Sequence, residues 1–324
     1  MTQGVTGPHR APEGYDQLNR YARVIVDEAV RRGIDVDVLD PGAGELVLTR
    51  DGRRVTTFES LSELTSAIAF RRCDHKVWTR QILERAGLRV APGRIATHDD
   101  DDLSFLAEFK DLVVKPVRGE GGQGLTVGVT DPDALGEAIS MAQAVCPEVL
   151  LERRCEGDDV RVIVIADEMV AASIRRPPEI TGNGRHTVAE LVETLSRERS
   201  VATDGAAHIP LDATTLSVVR AAGCESHTVL DDEEVIAVRR TANVHTGGTI
   251  DDVTEQLHPA LADAAVAAAR AIDIPVVGVD LMVPRVDGFV YTIIEANEQP
   301  GLANHEPQPT VERFVDLLFP ESAG

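Results

Sequence analysis

Three groups of residues in this chain have types and spacings suited to chemistry on phosphates. The first is the stretch VVKPVRGEGGQGLTVGV, in which Gly119, Gly121 and Gly124 match the pattern GxGxxG. A dinucleotide-binding loop of that pattern must open a helix, whose N-terminal amides receive the pyrophosphate. Here the glycines, Gly122 among them, run into LTVGVT, which is β-branched and strand-like. A strand, a glycine loop and a second strand instead make a flexible flap laid over nucleotide phosphates. The Walker pattern GxxxxGK[ST] is absent. A bare hairpin tip would also tolerate these glycines. Lys115 weighs against that alternative, because it stands at the end of the strand DLVVKP, where a cation can reach phosphate oxygens beneath the flap.

The second group is an acid pair and an amide. Asp280 interrupts the apolar run VVGVDLMV, and Glu295 interrupts YTIIEAN. Buried carboxylates require cationic partners. A hairpin turning over 285–288 predicts Asp280 opposite Ile293 and diagonal to Glu295, ~7–8 Å away, with Asn297 on the same face. Two carboxylates and an amide oxygen suit Mg²⁺, with Mn²⁺ an acceptable substitute. A one-residue slip would break the shared face and leave two solvent-facing edge carboxylates. The third group is Arg161 and Arg175, each within an otherwise apolar strand, and Arg240, followed closely by Asn243. Converging guanidinium groups suit a bidentate grip on phosphate or carboxylate. The alternative for any one arginine is a surface ion pair. His75, His186, His245, His258 and His305 show no metal-ligand spacing and are expected to pack or cap.

These groups need elements to position them. The 324 residues carry 54 acidic against 32 basic side chains, a net charge of −22 and a pI near 4.7. Such an acidic chain is a poor general binder of nucleic acid or anionic membrane. No apolar run approaches the ~18 residues of a membrane span, and the first residues lack a signal-peptide pattern, so a cytoplasmic protein is expected. The four cysteines form no CxxC pair and read as reduced thiols. Only three of the basic residues are lysines, Lys76, Lys110 and Lys115. Periodicity predicts a loose start over 1–15, a helix from Tyr15 to Arg32, a strand IDVDVLD and a hairpin turning at Asp51-Gly52. A helix follows from Asp74 to Ala86, then the two strands flanking the glycine loop, a helix over 132–145 and the strand EVLLE. Next come strands VRVIVIA and MVAASIRRP, and a polar, partly helical stretch over 182–234 with little core character. Strand VIAVRR, a helix over 258–272, the hairpin carrying Asp280 and Glu295, and a helix over 309–318 close the chain. Tight turns between strand neighbours make this an α+β fold with largely antiparallel pairs.

The pieces DHKVWTRQILERAGLRVAPG, VVKPVRGEGGQG, VLLERRCEGDDVRV, RRTANVHTGG, GVDLM and IIEANEQPG resemble an ATP-grasp ligase, in order, over residues 60–320. TSAIA, RRTANVHTGGT, DVTEQLHP and GLANHEP look most like the ATP-grasp portions of cyanophycin synthetase and N-acetylglutaminylglutamine synthetase, with glutathione synthetase more distant. The resemblance implies two subdomains, 74–150 and 151–324, clamping ATP behind a pre-ATP-grasp segment over 1–73. It implies that Lys76, Lys115 and the loop Arg118, Gly119, Gly121, Gly122 and Gly124 hold ATP phosphates. It gives Glu152, Arg153 and Cys155 to the adenine hinge and Asp159 to the ribose. Asp280, Glu295 and Asn297 match a magnesium triad, and Arg161, Arg175, Arg240 and Asn243 match groups near the transferred phosphate and the acyl substrate. The chain holds no counterpart of the muramyl-ligase-like half of cyanophycin synthetase, so processive polymer synthesis is not expected.

The expected reaction joins a small amino-acid-derived carboxylate to an amine through an acylphosphate, with release of ADP. The variable stretch 182–234 would line the acceptor pocket. Small-molecule amino acids are the expected partners, an osmolyte dipeptide would fit the acidic surface, and a homo-oligomer is in keeping with the resemblance. The alternatives are a kinase that stops at phosphorylation and a glutathione-type or peptide-modifying ligase.

Overall fold

The computed structural model describes residues 11–322 except 204 and 206. Most of the loose start expected over 1–15 therefore lies outside the described residues. After a short 3-10 turn at Tyr15–Gln17, helix α1 (Arg20–Arg31) begins later than its periodicity suggested. Asn19 sets that start, its side chain accepting from the Ala22 N–H. Strands β1 (Asp35–Asp40), β2 (Glu45–Arg50), β3 (Arg53–Phe58) and β4 (Leu61–Ser62) then form an antiparallel meander that turns at Asp51-Gly52. Helices α2 (Ala67–Asp74) and α3 (Lys76–Arg85) follow, α2 having no counterpart in the sequence reading.

Strand β5 (Gly93–Ile95), helix α4 (Asp100–Phe109), strands β6 (Leu112–Pro116) and β7 (Thr126–Val129), helix α5 (Pro132–Gln143) and strand β8 (Val149–Arg153) build the second sheet, in order β5-β8-β6-β7. Strand β8 runs across the division expected at 150–151 and pairs with β5 and β6. The third sheet takes β9 (Asp158–Ile165), β10 (Glu168–Arg176), β13 (Thr249–Asp252), β14 (Val276–Val283) and β15 (Thr292–Asn297), in order β13-β10-β9-β14-β15 and antiparallel throughout. Helices α8 (Pro259–Ile272) and α9 (Thr310–Leu318) cover its two faces.

Residue alternation on β9 decides where the site lies. Val160, Val162 and Val164 point into one apolar layer with Leu261, Ala265 and Ala268 of α8. Ile163 and Ile165 enter the opposite layer with α1, α9 and the first sheet. Asp159 and Arg161 share that second face but lie beyond the apolar layer, because side chains of a strand alternate with period two. Burial of such Val, Ile and Leu side chains stabilises by roughly 1.5–3 kcal/mol each, which fixes the register that the polar end inherits.

Between β10 and β13 the chain makes β11 (Glu179–Thr181), α6 (Val188–Ala202), α7 (Ala213–Ala221) and β12 (Val235–Ala237). The expectation of little core character over 182–234 is corrected. Val188, Val192, Ile209, Val219 and Leu230 form an apolar cluster with Ile180 and Ile236 from the flanking strands and with Val238 just beyond β12. Charged surface residues dilute the composition while a few 3–4-spaced positions carry the core. No helix among the described residues is long and apolar enough to cross a membrane.

Candidate active site

The glycine loop connects β6 to β7 as predicted, and it is docked. Arg240 donates from Nη1 to the Val127 carbonyl at 2.7 Å, and Asn243 from Nδ2 to the Gly121 carbonyl at 3.2 Å. Gly128 allows the first contact: its φ is +83°, and a Cβ there would lie 2.2 Å from Arg240 Nη1. Lys76, at the start of α3, donates to the Gly119 carbonyl at 2.8 Å and pairs with Glu295 at 3.2 Å. The loop is thus tied on one side to the 240–243 segment and on the other to the third sheet. Arg118 reaches Asp74 at 3.5 Å and lies over the Trp78 ring, and Gly124 packs against α5.

Beneath the loop, Lys115 is buried and pairs with Glu152 at 2.5 Å. Glu152 also accepts from Arg80 Nη1 at 2.6 Å and is 2 % exposed. The pairing is diagonal across β6 and β8, since Val113 is the residue opposite Glu152. Arg80 was not read from the sequence; its place four residues after Lys76, on the same side of α3, is the signal that could have found it. Arg153 is exposed at the end of β8, and the half-buried Cys155 follows it in the link between the second and third sheets.

The third sheet carries a polar row in strict cross-strand register: Glu295, Asp280, Arg161, Ser173 and Asp252. Asp280 stands directly opposite Glu295, not diagonal to it, because the turn spans 284–291 and the register shifts between Asp280 and Leu281. The shared face survives, and Asn297 donates to Asp280 at 3.3 Å. Arg161 grips Asp280 with two bonds of 2.7 and 2.8 Å, and Arg175 adds one of 2.8 Å while holding Asp159 at 2.6 Å. Asp159 is therefore part of this ion cluster. Burial pushes the Asp280 carboxyl up, but Arg161 and Arg175 outweigh it and hold the group at about 2. Asp159 moves the other way, raised by its burial and by the neighbouring charge of Asp280.

Beside this cluster lies an acidic set in which Glu295 meets Lys76 and Asp74 meets Arg118. Burial raises the Glu298 carboxyl, and Asp74, Glu120 and Glu295 add to the rise. Among the described residues no three His, Cys, Asp or Glu side chains are grouped to hold a metal. The Asp280, Glu295 and Asn297 set contains only two such residues. Its donors are nonetheless hard oxygens on one face, beside the further carboxylates Asp74, Glu120 and Glu298, and that chemistry fits Mg²⁺. His305 is buried and feels the charges of this row. Burial, together with the charges of Arg161 and Arg175, lowers its pKa to about 4, so the ring is neutral.

No protein-family model matches the chain. It is 31% identical over 283 residues to the cyanophycin synthetase of Geminocystis herdmanii, a match covering 81% of this chain and 32% of that protein. It is 29% identical over 328 residues to the glutathione biosynthesis bifunctional protein of Listeria innocua, covering 94% of this chain and 42% of that one. The chain thus spans between 30% and 42% of the length of the curated relatives it matches. Its backbone superposes on the crystal structure of a bifunctional glutathione synthetase from Pasteurella multocida with a TM-score of 0.65 at 23% identity, over 95% of this chain and 44% of that one. The D-alanine–D-alanine ligase from Bacillus anthracis gives a TM-score of 0.51 at 16% identity, over 80% and 70%. Sequence and backbone agree with the ordered motifs: the chain belongs to the ATP-grasp fold family, with cyanophycin synthetase and the bifunctional glutathione proteins among its relatives.

Proposed function

We propose that the chain is an ATP- and Mg²⁺-dependent ligase that forms an amide bond between a small amino-acid-derived carboxylate and an amine, in the manner of N-acetylglutaminylglutamine synthetase. The observation that carries this reading is the glycine loop fastened by Arg240 and Asn243 across from the cationic and acidic row of the third sheet. Lys76, Lys115 and the loop amides would hold the phosphates, and residues 152–155 the base. Glu295 and Asn297, with Asp280 behind them, would hold Mg²⁺, which when bound neutralises the β- and γ-phosphate oxygens. Arg240 beside the loop would meet the charge that develops as the substrate carboxylate attacks the γ-phosphate, while Arg161 and Arg175, paired with Asp280 and Asp159, would position the Asp280 carboxylate. The closed loop excludes water, so the acylphosphate survives until the amine displaces phosphate from its carbonyl carbon.

The experiment is ADP release measured with single acids and then with acid–amine pairs, among them N-acetylglutamine with glutamine, glutamate with cysteine, and aspartate with arginine. Turnover that needs one acid and one amine together, with the amide identified by mass spectrometry, supports the reading. ADP formed from one substrate with a stable phosphorylated product overturns it.

A further inference from the structure

Tyr21 of α1 stands where three segments meet. The first is its own N-terminal unit, which is fastened to the stretch that follows Asn297. The buried Ser60 hydroxyl donates to the Pro300 carbonyl at 2.7 Å, Gln299 Nε2 to Glu59 at 3.3 Å, and Arg20 to the Ala303 carbonyl at 2.8 Å. The second is that stretch itself. Asn304 Nδ2 donates to the Tyr21 hydroxyl at 3.4 Å, and Gly301 lets the ring come close, since a Cβ there would lie 2.9 Å from Tyr21 Cε1. The third is the segment that docks the glycine loop. The rings of Tyr21 and His245 meet edge to face, with centroids 6.1 Å apart and planes at 67°.

His245 reaches the loop through one carboxamide. Its backbone N–H donates to Asn243 Oδ1 at 2.9 Å, and Asn243 Nδ2 donates to the Gly121 carbonyl at 3.2 Å. The oxygen end of Asn243 is thereby held, and its N–H₂ end is turned to the loop. Between them lies a 3-10 turn of three residues, Val244–Thr246. So short a turn has few bonds of its own, and its outside contacts set where Asn243 stands. One set comes from the 180–238 cluster: the His208 N–H donates to the His245 carbonyl at 2.9 Å, and Gly247 leaves room for Ile209. The Tyr21 ring, from the N-terminal unit, is another.

We propose that Tyr21 is a positioning residue for the glycine loop: its ring, held by Gly301 and Asn304, keeps His245 in place so that Asn243 stays aimed at the Gly121 carbonyl. Helix α1, outside the two sheets that flank the proposed nucleotide site, thereby sets how firmly the loop lies over the nucleotide. The consequence for nucleotide binding rests on the ligase reading; the effect on the loop does not.

The test is amide hydrogen exchange on the full chain, read by mass spectrometry over 118–128 and, as the control, over 160–165 of β9. Tyr21→Ala should speed exchange over 118–128 roughly three- to tenfold, the worth of one ring contact, and leave 160–165 unchanged. His245→Ala is the second variant; the residue is exposed and its backbone bonds stay, and it should act likewise. The double variant should exchange no faster than the faster single one, because both remove the same contact. Tyr21→Phe keeps the ring and should exchange like the parent chain. Titration calorimetry with Mg²⁺ and a non-hydrolysable ATP analogue should show affinity weakened by the same factor in both alanine variants. Unchanged exchange over 118–128, equal acceleration over 160–165, additive effects in the double variant, Tyr21→Phe exchanging as fast as Tyr21→Ala, or unchanged nucleotide affinity overturns the assignment. If the parent chain binds no nucleotide, the ligase reading falls and the exchange results alone decide the role of Tyr21.

Discussion

Replacing Asp280 with Asn isolates the contribution of the ion cluster. The Asp280 carboxylate accepts bonds of 2.7, 2.8 and 2.8 Å from Arg161 and Arg175, and it is 2% exposed. Its carboxyl is lowered from 3.8 to about 2, which corresponds to roughly 2 kcal/mol of folding stability at neutral pH. Because the shift is downward, that contribution is complete above about pH 4 and is lost as pH falls toward 2. Asp280→Asn removes more than this. The amide offers one acceptor oxygen where two served, turns an N–H₂ toward a guanidinium, and leaves a buried positive charge uncompensated. Breaking a buried pair on one side costs about 3–5 kcal/mol, a drop in melting temperature of roughly 5–15 °C for a chain of this size. Differential scanning calorimetry at pH 7 reads it. The double variant Arg161→Met with Asp280→Leu should recover most of the loss, since well-packed apolar side chains replace buried ion pairs at little cost. A single variant that loses less than about 1 kcal/mol would refute the assignment of Asp280 as the counter-ion of both arginines.

Three further outcomes follow from particular contacts. Gly128→Ala forces a Cβ against Arg240 Nη1 in a left-handed backbone, so the Val127–Arg240 bond should break, with a stability loss of about 1–2 kcal/mol and a several-fold rise in KM for ATP. His305, lowered from 6.5 to about 4, makes the unfolded chain take up its proton first on acidification; stability should fall by roughly 3 kcal/mol between pH 6.5 and 4, and the slope should flatten in His305→Asn. Burial raises the Cys73 thiol, and Cys146 and Cys224 are also buried, so iodoacetamide should label half-buried Cys155 first in the native protein and the others only after unfolding.

Much of this arrangement was legible in the sequence because period-two alternation and turn chemistry are local. The hairpin at Asp51-Gly52, the strands on either side of the glycine loop and the helix over 259–272 appear where the pattern places them. The placing of Asp280 and Glu295 on one face survived an error in their register, since either the diagonal or the opposed arrangement keeps both on the same side of the sheet. Long-range pairings were less accessible. Nothing local announces that Arg80 reaches Glu152, or that Arg161 and Arg175 close on Asp280 instead of standing open to an anion. Helix α2 was missed because its exposed Ile68 and Phe70 blur the apolar stripe. The cluster over 180–238 draws its members from segments far apart in the chain, so a window-by-window reading sees only its polar surface.

The central claim is that the docked loop and the row beside it activate a carboxylate with ATP. Its most direct test is ADP release in the presence of hydroxylamine, with Mg-ATP and the acid panel but no amine. The account predicts a hydroxamate of one acid, formed in step with ADP, abolished in Glu295→Ala, and replaced by an amide when the matching amine is added. ADP formation without hydroxamate, or hydroxamate formation at the full rate in Glu295→Ala, would contradict it.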